Sequence, residues 1–148
     1  MTDMQSSERS EKNSGALALL APVAGIIYFA IYAIPYTIAG KAFSESTAEL
    51  ALMILPCTVA SALVLMAARR VNPVALACLG AISIYLFGFI YFLMAPIVSS
   101  LNSGFIAAFE NCIIYVVPTV VIYIFAVSVY SIAIVTINFR SGRRTRPK

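Results

Sequence analysis

Residues 71–109 read VNPVALACLGAISIYLFGFIYFLMAPIVSSLNSGFIAAF, and no Asp, Glu, Lys or Arg occurs anywhere among them. An α-helix rises about 1.5 Å per residue, so about 20 apolar residues cross the roughly 30 Å hydrocarbon core of a bilayer. The stretch therefore holds a complete membrane span and the turn that follows it. Outward from it, Asn13 to Gly40, Leu50 to Ala68 and Asn111 to Phe139 are uncharged in the same way. The expected fold is all-α: a polytopic membrane protein forming a four-helix transmembrane bundle with short loops. The spans are placed at about 16–39, 48–68, 73–98 and 112–138, with tails at 1–14 and 140–148.

Composition points the same way, since the chain is 61% apolar and 11% charged, whereas a soluble chain is about a quarter charged. What remains outside the spans is too short to bury a core of its own. Function is therefore expected in the bundle, at its two faces, or in a partner.

Orientation follows from the basic residues, because cytoplasmic connections carry the excess of Lys and Arg. Arg9 and Lys12 precede the first span, Arg69 and Arg70 lie between the second and third, and Arg140, Arg143, Arg144, Arg146 and Lys148 follow the fourth. On the other side only Lys41 occurs, beside Glu45 and Glu49. Both termini are expected in the cytoplasm, with the chain in a bacterial inner membrane and Arg69, Arg70, Arg140, Arg143 and Arg144 as topology determinants. The cationic tail reads as an orientation signal and a contact for anionic lipid, not as a nucleic-acid arm. The apolar run from Ala16 to Ala39 exceeds the usual signal-peptide core of about 7 to 15 residues, so it reads as a retained anchor.

Prolines punctuate the spans. Pro22 and Pro35 fall in the first, Pro56 in the second, Pro73 and Pro96 near the two ends of the third, and Pro118 inside the fourth. Pro73 suits a first helical turn. Pro35, Pro56 and Pro118 are expected at similar depth, where they either open an outward cavity or are accommodated by neighbouring helices, the ordinary fate of proline in membranes. An unbroken helix from Phe105 to Phe139 would be about 50 Å long. Either the fourth span starts near Cys112 with a tilt, or Phe105 to Val117 lies partly in the interface and Pro118 opens the span. In both cases Glu110 and Asn111 form a polar site at the outer interface.

Two stripes recur at helical spacing. Ala18, Ala21, Gly25, Tyr28, Tyr32 and Tyr36 mark the first span, and Tyr115, Thr119, Tyr123 and Tyr130 the fourth. Ala77, Ala81, Gly88 and Ala95 add a small-residue face on the third, of the kind that lets helix backbones approach closely. Gly25, Tyr28, Tyr32, Gly88, Tyr115, Thr119 and Tyr123 are thus the candidate intramembrane interaction face, and ordinary packing within the bundle is the competing reading. Cys57, Cys78 and Cys112 form no CxxC pair and are expected as small packing residues.

The missing chemistry narrows the function classes. The chain has no histidine and no ionisable Asp, Glu, Lys or Arg in 50–68 or 71–109, so paired carboxylates, imidazole catalysis and the usual haem ligand are lacking there. No catalytic residue, metal or cofactor is expected. Small proton-coupled multidrug exporters also have four helices, but their pattern needs a carboxylate in the first span, and here that span has none. Two classes remain. One is a non-enzymatic protein that binds another membrane protein through its intramembrane faces, such as an immunity protein against a pore-forming toxin or an accessory subunit; the immunity comparison is one of topology alone. The other is a small autonomous channel or transporter with an outward cavity near Glu110. Expected partners are the bilayer and a membrane protein or a second copy, with no nucleic acid.

Overall fold

The computed structural model describes residues 2–38, 45–68, 72–99 and 105–144, and every regular element in them is helical. Helix α1 runs Thr2–Ile38, α2 Glu45–Ala67 and α3 Pro73–Ser99. A short α4, Phe105–Asn111, passes through a π-helical turn at Cys112–Val116 into α5, Val117–Arg144. The arginine pair Arg69 and Arg70 lies outside the described residues.

Local chemistry accounts for several of these boundaries. At the start of α3, Asn72 is the N-cap: its side-chain Oδ1 accepts from the Val74 N–H at 3.2 Å, and its carbonyl accepts from Leu76 at 2.8 Å. Pro73 follows as the first helical residue, where a missing N–H removes no bond. At the end of α2, the Ala68 N–H is shared between the carbonyls of Val64 and Leu65, at 3.1 and 3.2 Å, which tightens the last turn. Helices α1 and α2 carry Pro22, Pro35 and Pro56 in their interiors without ending.

At Pro118 the helix responds differently. A proline has no N–H and crowds the carbonyl four residues back. Just before it the backbone widens, and the Val117 N–H reaches back five residues to the carbonyl of Cys112. The chain from Phe105 onward is thus one helical path with a change of helix type at Cys112–Val116. Similarly, α1 begins already at Thr2, so the N-terminal tail is helical along with the span.

Helix α1 packs on α2 and α5, and α3 packs on α2 and on the α4–π–α5 path, which closes a four-helix ring. Its interior is built from Leu17, Ala18, Ala21 and Ala24 of α1, Ala62 and Leu65 of α2, Leu76, Ile84 and Phe92 of α3, and Cys112, Val116, Tyr123 and Val127. Large apolar side chains such as Leu19, Ile31, Leu52, Leu63, Ile82 and Phe125 point outward. Four of the helical stretches are long and apolar enough to cross a membrane: Gly15–Pro35, Leu50–Ala67, Pro73–Met94 and Phe105–Arg140. An apolar exterior on this scale suits lipid rather than water.

Candidate functional site

The side chains with polar chemistry converge where α2, α3 and the π-turn meet. On α2 the inward face is Leu50, Ile54, Cys57, Thr58, Ser61, Ala62 and Leu65. Its three polar members bond back to their own helix. Cys57 Sγ donates to the Met53 carbonyl at 3.0 Å, Thr58 Oγ1 to Leu55 at 2.9 Å and Ser61 Oγ to Cys57 at 2.7 Å. Such bonds let hydroxyls sit in an apolar interior without a partner helix.

Across from α2, the π-turn is fixed to α3. Cys112 Sγ donates to the Tyr85 carbonyl at 3.6 Å. Around that contact the Phe92 and Tyr115 rings stack at 6.0 Å, and Phe89 meets Phe105 edge-on at 5.2 Å. Thr119 is buried and directs its hydroxyl at the Tyr115 carbonyl at 3.5 Å, one helical turn back. A small cavity lies between these elements, lined by Ile54, Cys57, Thr58, Ile84, Val116 and Thr119. It holds about one water-sized molecule.

Glycine decides how closely the helices meet. A methyl at Gly25 would stand 2.7 Å from Thr58 Cγ2, one at Gly88 would collide with the Val116 side chain, and one at Gly80 would collide with the phenol of Tyr123. The contact face of α3 toward the π-turn and α5 is therefore Gly80, Ile84 and Gly88, at intervals of one helical turn. Tyr123 is wholly buried, and its hydroxyl finds no hydrogen-bond partner among the described residues. A buried hydroxyl in that state costs about 1–3 kcal/mol.

The candidate face read from the sequence is thus largely turned inward. Gly25 and Gly88 are occupied by side chains of this same chain, and Thr119 and Tyr123 are buried. Tyr28, Tyr32 and Tyr115 are half-buried. Ala77 and Ala81 are also half-buried, flanking the true contact line of α3. Gly80, Thr58 and Ser61 were not singled out from the sequence; for Gly80 the signal present was its spacing of two turns from Gly88. Glu110 is exposed on α4 and Asn111 half-buried beside it. Pro35 and Pro56 are exposed on the outside of the bundle and do not line its interior. Cys57 and Cys112 are buried, Cys78 is exposed, and all three thiols are free. Arg140 is exposed near the end of α5, whose backbone continues through Arg143 and Arg144.

Among the described residues, no three His, Cys, Asp or Glu side chains come together as a metal site would require. The chain matches no family model, no curated protein and no solved structure. Its reading therefore rests on the geometry alone.

Proposed function

We propose that this chain is a non-enzymatic integral membrane protein that acts by binding another membrane protein through a helix face within the bilayer. An immunity protein against a pore-forming toxin, or an accessory subunit of a membrane complex, is the concrete form. The proposal includes a bacterial inner membrane and cytoplasmic termini, on the charge asymmetry of the connections. The observation that carries the reading is the uneven cover of the spans. In the most apolar 18-residue window of each, 33%, 39% and 33% is buried by the chain itself in the first three, against 11% in the fourth.

Because Gly25 and Gly88 are spent on closing the bundle, the face open to a partner is the outer side of α5. Val121, Phe125, Val129 and Ile132 follow one another there at helical spacing, all exposed. Ser128 adds a short side chain whose hydroxyl is satisfied by the Ile124 carbonyl at 2.8 Å. Such a face offers van der Waals packing to an apolar helix without burying an unpaired polar group. The prolines expected to open a conduction path support that reading less, since Pro35 and Pro56 face outward.

The experiment is crosslinking in native membranes followed by affinity purification and mass spectrometry, on the wild type, on Val121→Ala/Phe125→Ala and on Leu19→Ala. The reading expects a stoichiometric membrane protein that is lost from the α5 variant and kept in the α1 variant, where Leu19 is equally exposed. Recovery of the chain alone, or equal capture by all three, overturns it.

A further inference from the structure

Helix α5 extends past the start of α3. Helix α3 and the path of the π-turn and α5 are antiparallel, with Gly80 against Tyr123 and Gly88 against Val116. Carrying that register back to the first residue of α3, Pro73, reaches Tyr130 on α5. Burial agrees, because Val127 is the last buried residue of α5 among those described and Tyr130 still packs against the core. From Val135 to Arg140 every side chain is exposed. Yet α5 continues to Arg144. The stretch from Ser131 to Phe139 therefore adds roughly 14 Å of helix past the level where α3 begins.

That overhang has two chemical halves. Ile132, Val135 and Ile137 are each about two-thirds exposed, at 67%, 67% and 65%, and Phe139 is exposed beside them. After them come Arg140, Arg143, Arg144, Arg146 and Lys148, and the chain contains no Asp or Glu beyond Glu110. The neighbouring start of α1 is mixed, with Asp3, Glu8 and Glu11 set against Arg9 and Lys12, so it supplies little net negative charge. An apolar helix segment followed by a run of cations, past the level where α3 begins, is complementary to one surface: acyl chains first, then anionic headgroups.

We propose that residues 131–144 form a bilayer-surface anchor for anionic lipid. Val135, Ile137 and Phe139, within about 6 Å along the helix, lie in the headgroup boundary, a layer about 5–8 Å thick on each side of the core, and the arginines beyond them meet lipid phosphates. Arginine suits that role because its planar fork pairs with two phosphate oxygens. Each basic residue near an anionic surface contributes about fivefold in occupancy.

The test uses the full-length protein, which has no tryptophan of its own. Ile137→Trp provides a single reporter, read in vesicles of phosphatidylcholine and of phosphatidylglycerol, symmetric so that the direction of insertion is immaterial. Circular dichroism verifies that the helices are retained, and Val135→Trp serves as a second reporter site. The expected result is blue-shifted emission in phosphatidylglycerol, quenched best by lipids brominated close to the headgroup. Emission moves toward that of water in phosphatidylcholine, and also in Arg140→Gln/Arg143→Gln/Arg144→Gln. Water-like emission in phosphatidylglycerol overturns the proposal by placing the segment in solvent. Blue-shifted emission that brominated lipid does not quench overturns it by placing the segment against protein, a second copy included. Best quenching by deep bromines overturns it by making the segment part of the span, and indifference to headgroup charge overturns the anionic requirement.

Discussion

Helices α2 and α5 both carry hydroxyls into the apolar interior, and the short side chains of α2 and the long Tyr123 of α5 treat them in opposite ways. On α2, Thr58 and Ser61 have short side chains that fold back on carbonyls of their own helix at 2.9 and 2.7 Å. Their hydrogen bonds are satisfied locally, so Thr58 can turn both its methyl and its hydroxyl oxygen toward Gly25. On α5, Tyr123 cannot fold back, because a phenol ring holds its oxygen far from its own backbone. The ring crosses to α3 and ends against Gly80, where its hydroxyl meets no acceptor. In a bilayer interior, then, hydroxyl count says little about stored interaction energy. Side-chain length decides whether the group is silent or committed to another helix.

The most severe way to break that contrast is to deny Tyr123 its seat. In Gly80→Ala the new methyl meets ring carbons as well as the hydroxyl, and the ring is wholly buried with no open side to turn toward. Overpacking of this kind costs about 1–3 kcal/mol. Unfolding in mixed micelles titrated with dodecyl sulfate should register that loss. Repeating the substitution in a Tyr123→Leu background should reduce it, because the two sites share one contact. An equal loss in both backgrounds would show that the helix rather than the ring resists the methyl.

A milder change sharpens the comparison from the other side. Tyr123→Phe keeps the ring and deletes the unpaired oxygen. Its expected effect is a gain of about 1 kcal/mol in the same titration, with no change in helix content, because removing an unsatisfied buried hydroxyl releases its desolvation cost. A loss of stability would mean that the hydroxyl has a partner in the membrane.

How far the sequence reveals this arrangement depends on the kind of information. The helical class and the four spans are plain because they rest on long uncharged runs, a signal that no single residue can spoil. Pro73 as a first-turn residue is equally legible, since proline there loses no bond. The packing phase is harder. Ala77, Ala81 and Gly88 form a small-residue face, but so do Gly80 and Gly88, and the two differ by only about one residue of rotation on α3. Which face closes the bundle is decided by the partner, namely where Tyr123 arrives from α5 and Val116 from the π-turn. The π-turn is a similar case. Pro118 announces a disturbance, yet whether the helix bends, breaks or widens depends on the ties that Cys112 and Tyr115 make to α3. Likewise the stripe of Gly25, Thr119 and Tyr123 is legible as a face, while its being consumed inside the chain follows only from the assembled bundle.

The smallest effect belongs to α2. In Ser61→Ala the lost bond is to the Cys57 carbonyl of the same helix, which retains its backbone position whether or not the hydroxyl is present. Polar contacts within membrane helices average about 0.6 kcal/mol, and alanine recovers part of that through better helix propensity. Ser61→Ala should therefore shift the unfolding midpoint by less than Tyr123→Phe does, in the opposite direction. Were Ser61→Ala to cost as much as Gly80→Ala, the hydroxyls of α2 would not be locally cancelled, and the distinction between short and long polar side chains would fail at its quiet end. A null result leaves the asymmetry in place and assigns the specificity of this bundle to the contact of Tyr123 with Gly80.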